Sequence, residues 1–196
     1  MKTRNAQKEK RRREILYAAL DLFVRKGVSD TKISDIAEKV GMSIGLLFNY
    51  FESKEALYYA LLQIGLEAAK SVSEFPYEKP LAFFTASAEY IFSATVQEPV
   101  VARIFVLMKQ AQYSENVPEA IRAQITHNSG IAKAAEIIKQ GQADGSVKSG
   151  DPLALALAFW LSIQSTAEAF VLMPDMPFPK AEWFVDILKN HKECSI

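Results

Sequence analysis

The segment 31–51 constrains the fold of this chain more than any other stretch. Its first apolar residues recur at spacings of three and four: Ile33, Ile36, Ala37 and Val40. This spacing predicts one buried face of a short helix, which Gly41 ends because glycine readily takes the left-handed conformation found at helix ends. Ser43 is placed to cap a second short helix with its hydroxyl. The buried side of that second helix comprises Leu47, Tyr50 and Phe51.

Two short helices joined by a glycine turn are typical of a helix-turn-helix, whose second helix enters the DNA major groove. An ordinary helical hairpin has the same spacing. The pattern of segment 31–51 taken alone therefore leaves both interpretations open.

The flanking sequence favours the helix-turn-helix. A predicted helix over 12–26 precedes it, with an apolar stripe and a terminal Gly27. A further predicted helix follows from Lys54, with Leu57, Leu61 and Leu62 on one side. Residues 15–62 read ILYAALDLFVRKGVSDTKISDIAEKVGMSIGLLFNYFESKEALYYALL. This sequence resembles the DNA-binding domain of the TetR family of bacterial transcriptional repressors, and the resemblance covers about residues 10–62.

The rest of the chain is similar to that family only in length and helical layout. Prolines and a Gly-rich loop divide it into predicted helices over 54–75, 80–97, 99–112, 118–140, 152–173 and 181–191. We therefore expect an all-α protein of about nine helices. A three-helix DNA-binding domain with a basic arm would span 1–53. A mainly antiparallel helical domain for ligand binding and dimerisation would span 54–196.

Charge is distributed unevenly although the net charge of the chain is zero. Residues 1–58 hold 12 Lys and Arg against 8 Asp and Glu, whereas residues 59–196 hold 11 against 15. The first 13 residues alone carry seven basic side chains and one acid, Glu9. A basic arm beside a helix-turn-helix suits phosphate contacts, which supply most sequence-independent affinity for DNA. A solvated, disordered tail is the alternative interpretation of the arm.

The resemblance implies which residues hold the DNA backbone. Ser43, Tyr50 and Lys54 match family positions that bind phosphate, and hydroxyls and a flexible ammonium suit that task. Thr31 and Lys32, at the start of the first short helix, are expected to do the same.

The predicted recognition helix departs from the family at the positions that would face bases. Ile44 stands where the family often has Lys, Pro or Arg, and Leu46 where it often has Thr, Ala or Ser. Both side chains are able to contact thymine methyl groups. Gly45 permits a close approach of the backbone to DNA. Asn49, where the family often has His, carries an amide suited to a base edge or a phosphate.

The middle helices are rich in aromatic residues, and the resemblance implies that they hold an inducer. A pocket of this kind is mostly apolar with a few polar groups. The candidate ligand-binding residues are Phe83, Phe92, Phe105, Met108, Gln112, His127, Trp160 and Gln164. The alternative is that the aromatic stripe is simply core.

The segment 153–161 has no polar side, and a helix that is apolar all round is buried on all sides. The predicted helix 181–191 also has an apolar face. The resemblance implies that helices 153–173 and 181–191 form a homodimer interface, while burial within the monomer core is the alternative.

Catalytic and metal-binding patterns are missing from the sequence. We find no nucleophile with a nearby base in sequence, no Gly-rich phosphate loop and no metal-ligand spacing. His127 and His191 are isolated, and Cys194 is the single cysteine. The start of the chain has no signal-peptide core, and the run 153–161 is far shorter than the roughly 20 residues that span a bilayer. We therefore expect a cytoplasmic protein that is not an enzyme and needs no cofactor.

The sequence thus predicts a ligand-responsive transcriptional regulator, released from operator DNA by a small apolar or amphipathic molecule. The alternative is a small-molecule binding protein or enzyme that has borrowed the fold.

Overall fold

The computed structural model describes residues 2–126 and 129–191, with the side chains of residues 2–4 and 129 left aside. The helices are α1 (Lys2–Lys26), α2 (Ile33–Lys39), α3 (Ile44–Phe48), α4 (Lys54–Ser73), α5 (Pro80–Gln97), α6 (Pro99–Tyr113), α7 (Glu119–Thr126), α8 (Ser129–Ala143), α9 (Pro152–Leu172) and α10 (Ala181–Val185). The all-α class is confirmed, and the predicted helix 118–140 corresponds to α7 and α8 on either side of residues 127 and 128. In the described ranges the β-structure amounts to one isolated bridge, between Val147 and Lys189.

Helix α1 begins ten residues before the predicted start, at Lys2 rather than at Arg12. The arm consists largely of Lys, Arg, Gln, Glu and Ala, which are all good helix formers. Two arginines of α1 fasten it to the helix-turn-helix. Arg11 donates a hydrogen bond of 3.0 Å to the carbonyl of Val40, and Arg12 donates one of 3.2 Å to the carbonyl of Tyr50. The arm is therefore a helical extension of the unit that contains the helix-turn-helix.

The first hydrophobic core joins the helix-turn-helix to the body of the protein. It includes buried residues of α1 to α4, such as Phe23, Ile36 and Leu47. It also includes Leu107 and Ala111 of α6, which are fully buried. Helix α6 therefore packs directly against the unit that carries α3.

The second core lies among α5, α8, α9 and α10 and is filled by aromatic rings. Phe84 packs edge-to-face on Phe83 at 5.2 Å and on Phe159 at 5.0 Å between ring centroids. Phe159 in turn packs on Trp160 at 5.1 Å. Edge-to-face stacking matches the positive ring edge to the negative ring face, so this arrangement stabilises a closed core.

The last helix is shorter than the predicted helix over 181–191. Helix α10 ends at Val185 and is followed by turns. The amide of Lys148 donates to the carbonyl of Leu188 at 2.9 Å, which ties this segment to the loop after α8. Leu188 is fully buried within the second core, so its side chain is not part of an exposed apolar surface.

Helix α9 turns different apolar residues inward and outward. Ala156, Phe159, Ile163 and Ala167 are buried, at spacings of three and four. The outward leucines are Leu153, Leu157 and Leu161, which are 51%, 37% and 53% exposed. Of the single helices in the described ranges, α9 is the one long and apolar enough to cross a membrane, and core helices of soluble proteins often meet the same criteria.

Candidate nucleic-acid interface

The turn before α3 has the geometry that the sequence predicts. Gly41 has a φ of 64°, in the left-handed region that favours glycine. The amide of Leu46 donates to the Ser43 hydroxyl oxygen at 3.2 Å, which confirms Ser43 as the helix cap. Leu47 is fully buried and Phe51 is 4% exposed, so these two residues fix α3 against the first core. The short helix is thereby held in one orientation.

The outer surface of α3 is mostly apolar. Ile44, Leu46 and Phe48 are 41%, 45% and 47% exposed. Gly45 and Asn49 are exposed as well. Phe48 was not among the predicted DNA-binding residues. Phe48 lies four residues after Ile44, so the two side chains share one side of the helix, away from the buried Leu47. This spacing could have placed Phe48 on the outer face from the sequence.

Two predicted phosphate contacts have structural partners. Thr31 is 1% exposed, and its hydroxyl donates to the carbonyl of Gly27 at 2.7 Å. The ammonium of Lys54 donates to the carbonyls of Val28 at 2.7 Å, Ser29 at 3.2 Å and Thr31 at 2.9 Å. An ammonium has three protons, so these bonds occupy all of them. We therefore correct Thr31 from a phosphate contact to a support of the loop between α1 and α2. The side chain of Lys54 binds the same loop here, and its phosphate contact stays a prediction.

The other predicted phosphate contacts remain accessible. Lys32 and Ser43 are exposed, and Tyr50 is half-buried. The exposed residues 5–10 of α1 add Lys8 and Lys10 to the basic surface of the same unit. The structure thus brings hydroxyls, ammonium groups and the outer face of α3 into one small unit.

An acidic residue connects this unit to the body. The carboxylate of Asp21 on α1 lies 2.9 Å from Lys39 Nζ, 3.1 Å from Arg25 Nε and 3.3 Å from Arg103 Nε. Burial raises the pKa of this carboxyl, but the hydrogen bond and charge of Lys39 and the charges of the two arginines outweigh burial. The pKa of Asp21 therefore lies below its usual range.

The predicted ligand residues are divided between the two cores. Phe83 and Phe92 are buried in the second core, and Phe105 and Trp160 are partly buried and pack against that core. Met108 packs against the first core. Gln112 and Gln164 are half-buried, and the amide of Gln164 donates to Glu168 at 2.7 Å. His127 lies outside the described residues.

Two open surface clefts in the described part of the chain lie away from these residues. One of about 610 Å³ opens between α1 and the junction of α5 and α6, beside Tyr17 and Arg103. Another of about 440 Å³ opens between α1 and the end of α2. Neither is lined by a predicted ligand residue, because the aromatic side chains of the body pack on one another.

Comparison with known proteins identifies the family. The model described as bacterial regulatory proteins, tetR family, matches residues 15–61. The chain is 32% identical over 170 residues to the HTH-type transcriptional regulator RutR of Escherichia coli, covering 81% of this chain and 74% of that protein. It is 25% identical over 171 residues to the HTH-type transcriptional repressor KstR2 of Mycolicibacterium smegmatis, covering 81% of this chain and 80% of that one.

A solved structure shares the fold. The structure of AibR in complex with isovaleryl coenzyme A and operator DNA superposes with a TM-score of 0.65 at 18% identity, covering 90% of this chain and 94% of that one. The whole-length similarity to RutR, the match over α1 to α4 and the helix-turn-helix geometry agree. The chain belongs to the TetR family of bacterial transcriptional regulators.

Proposed function

We propose that this protein is a ligand-responsive repressor that binds operator DNA through α3 as a homodimer in the cytoplasm. The observation that carries the proposal is the fixed, outward-facing α3, whose Leu47 is fully buried while its other four residues are exposed. A preformed recognition helix inserts into the major groove without an ordering cost at binding. The relative KstR2 is a transcriptional repressor, which favours repression over activation.

The DNA contacts divide into two groups in this proposal. Lys32, Ser43 and Tyr50 hold phosphates, while Ile44, Leu46 and Asn49 face bases and Gly45 lets the backbone approach. In this proposal the domain boundary is at 53/54, and α4 begins directly after it, beside the helix-turn-helix, and continues into the body. Helix α4 then acts as the lever between the two domains.

A ligand site in the body is supported by polar atoms without partners. Among the described residues, the hydroxyls of Ser87 and Thr95 and the indole nitrogen of Trp160 are buried with no hydrogen-bond partner. An unsatisfied buried polar group costs about 1–3 kcal/mol, so a ligand that supplies a partner gains that energy. A small amphipathic molecule could supply both hydrogen-bonding groups for these atoms and an apolar surface that packs against Phe83, Phe92 and Phe105.

The effect of ligand binding would be transmitted to the DNA-binding helices through α6. Gly65 of α4 lies against α6 so closely that an added Cβ would stand 2.6 Å from Met108 Sδ. A change in α6 would therefore move α4, and with it the spacing of the two recognition helices in a dimer. Successive major grooves require about 34–36 Å.

The dimer would form through the uncovered face of α9. Leu153, Leu157 and Leu161 share one side of this helix at four-residue spacing and are all exposed. Leu172 at 83% and Trp183 at 60% exposure extend the apolar surface toward α10. An exposed apolar patch of this kind marks an interaction site, and a second copy offers the same surface by two-fold symmetry.

The proposal is tested by binding to the DNA upstream of the gene for this protein. A gel shift should show a complex with that duplex that persists in the presence of an excess of a scrambled competitor duplex. A ligand found by thermal-shift screening is then titrated with and without the duplex. Linkage predicts that operator weakens ligand binding by the factor with which ligand weakens operator binding, typically about 5–150-fold. Equal ligand affinity in both titrations would remove ligand control and leave the alternative of a binding protein on a borrowed fold.

A further inference from the structure

Helix α3 has an exposed surface that is mostly apolar and carries no charged side chain. The segment 43–51 contains no Lys, Arg, Asp or Glu. Its three exposed large side chains are Ile44, Leu46 and Phe48, at 41%, 45% and 47%. They are not needed for the core, because Leu47 and Phe51 already fill that side. Large apolar groups kept in water on one short helix indicate a surface that binds something apolar.

The helical positions arrange these side chains around an open centre. At about 100° per residue, Ile44 and Phe48 share one flank of α3 and Leu46 lies on the other. Gly45 stands between the flanks, and a Cβ added there would meet nothing within 4 Å. Asn49 follows on the same outer side and is exposed. The result is a flat backbone strip with apolar side chains on both sides and one amide at its end.

This surface decides which base pairs α3 is able to read. In the major groove a guanine is read by paired hydrogen bonds from Arg or Lys, and α3 offers neither. The C5-methyl group of thymine is the apolar group presented in that groove, and adenine is read by Asn. Apolar side chains flanking an open strip therefore suit thymine methyl groups.

We propose that Ile44, Leu46 and Phe48 form an apolar clamp that reads thymine methyl groups, so that the operator bases under α3 are mainly T·A pairs. The inference rests on the proposed function, because it requires α3 to lie in the major groove. It adds Phe48 to the recognition surface and names the chemical group recognised.

The experiment separates the methyl group from every other feature of the operator. An operator is first selected from a random duplex library with wild-type protein. Each thymine within the protected region is then replaced by deoxyuridine, which pairs identically and lacks only the methyl group. Loss of one buried methyl should weaken binding about fourfold, the factor expected for one methylene-sized group. Deoxyuridine in the flanking sequence is the control and should change nothing.

Protein variants then assign the methyl contacts to α3. Leu46→Ala and Phe48→Ala should each bind the thymine operator more weakly and become insensitive to deoxyuridine at one position. The matched control is Tyr113→Ala, which removes an aromatic side chain that is 80% exposed on α6 and should keep the wild-type response. Circular dichroism verifies that each variant is folded.

The outcomes distinguish this inference from the proposed function. A selected operator that binds equally with thymine and deoxyuridine throughout would overturn the clamp and leave the regulator intact. A deoxyuridine effect that persists in all α3 variants would also overturn it, because the methyl group would then be read elsewhere. A library selection that enriches no sequence would reject both.

Discussion

Asp21 on α1 pairs with Arg103 on α6 across 3.3 Å, so one ion pair crosses from the DNA-binding unit to the body. The same carboxylate contacts Lys39 at the end of α2 at 2.9 Å. The side chain of Asp21, which is 13% exposed, therefore links three helices, α1, α2 and α6. Helix α6 belongs partly to the first core and its Phe105 packs against the second, so this pair lies beside the helix that contacts both cores.

Replacing Asp21 by Asn should lower the free energy of unfolding by roughly 1 kcal/mol, the scale of a partly exposed ion-pair network. Urea unfolding at pH 7 measures this change. Asp175→Asn is the control, because Asp175 is exposed in the connector after α9. Equal stability of the wild type and the Asp21 variant would show that the network contributes nothing.

The stability contributed by Asp21 should also depend on pH. Its pKa is lowered in the folded state, so the contribution is fully present above the ordinary carboxyl pKa of about 4 and is lost as pH falls through the lowered value. The difference in unfolding free energy between wild type and Asp21→Asn should therefore shrink below about pH 4. A difference that grows on acidification would contradict the assigned direction.

Lys54 and Lys32 should behave oppositely although both are lysines near α2. Lys54→Ala removes the donor to three loop carbonyls and should reduce stability by roughly 1–3 kcal/mol. Lys32→Ala removes an exposed charge and should leave stability unchanged while lowering the salt slope of DNA binding by about one. Thermal unfolding and anisotropy at several salt concentrations measure the two effects. The reverse pattern would assign the phosphate contact to Lys54 rather than to Lys32.

Much of the local structure was predictable because it depends on near neighbours in sequence. Gly41 ends α2, and Ser43 and Asp151 cap α3 and α9 through amides three residues later. Prolines at positions 80 and 99 open α5 and α6. Turn and cap chemistry of this kind is encoded within a few residues.

The interactions that the sequence does not reveal depend mainly on partners far along the chain. The carbonyls that engage Lys54 lie 23 to 26 residues before it. The end of the chain is tied to the loop after α8 by the bond from the Lys148 amide to the Leu188 carbonyl, which no local pattern indicates. Thr31 is buried by the packing of the fold, although the carbonyl of Gly27 that its hydroxyl contacts lies only four residues before it. Spacing reveals which residues are able to bind phosphate, whereas only the fold reveals which are already engaged.

Gly45→Ala should affect the stability of the protein and its affinity for operator DNA in different ways. A Cβ at this position meets no atom of the protein within 4 Å, and alanine favours helix by up to about 1 kcal/mol. The variant should be as stable as the wild type or more stable, yet bind operator more weakly because the methyl group prevents close approach of the backbone. Calorimetry and anisotropy measure the pair of effects. Undiminished binding would place Gly45 away from the DNA.

A charge on the outer face of α9 should separate the proposed dimer. Leu157→Glu introduces a carboxylate that is tolerated in a monomer, where this side is exposed, but costly in an apolar interface. Light scattering should show monomers with native helical content. Val96→Glu on α5, where Val96 is 53% exposed, is the control and should remain dimeric. A folded dimer of the α9 variant would move the interface elsewhere.

The measurement that tests the account most directly is the effect of Asn49→Ala on specific and non-specific DNA. Asn49 is the exposed polar side chain that immediately follows α3, and its amide can pair with a base edge. Anisotropy titrations of both proteins use the preferred duplex and a scrambled duplex of equal length. The account predicts a loss of roughly 1–3 kcal/mol on the preferred duplex and a much smaller loss on the scrambled one. Equal losses on both duplexes, or equal wild-type affinity for both, would contradict sequence reading by α3.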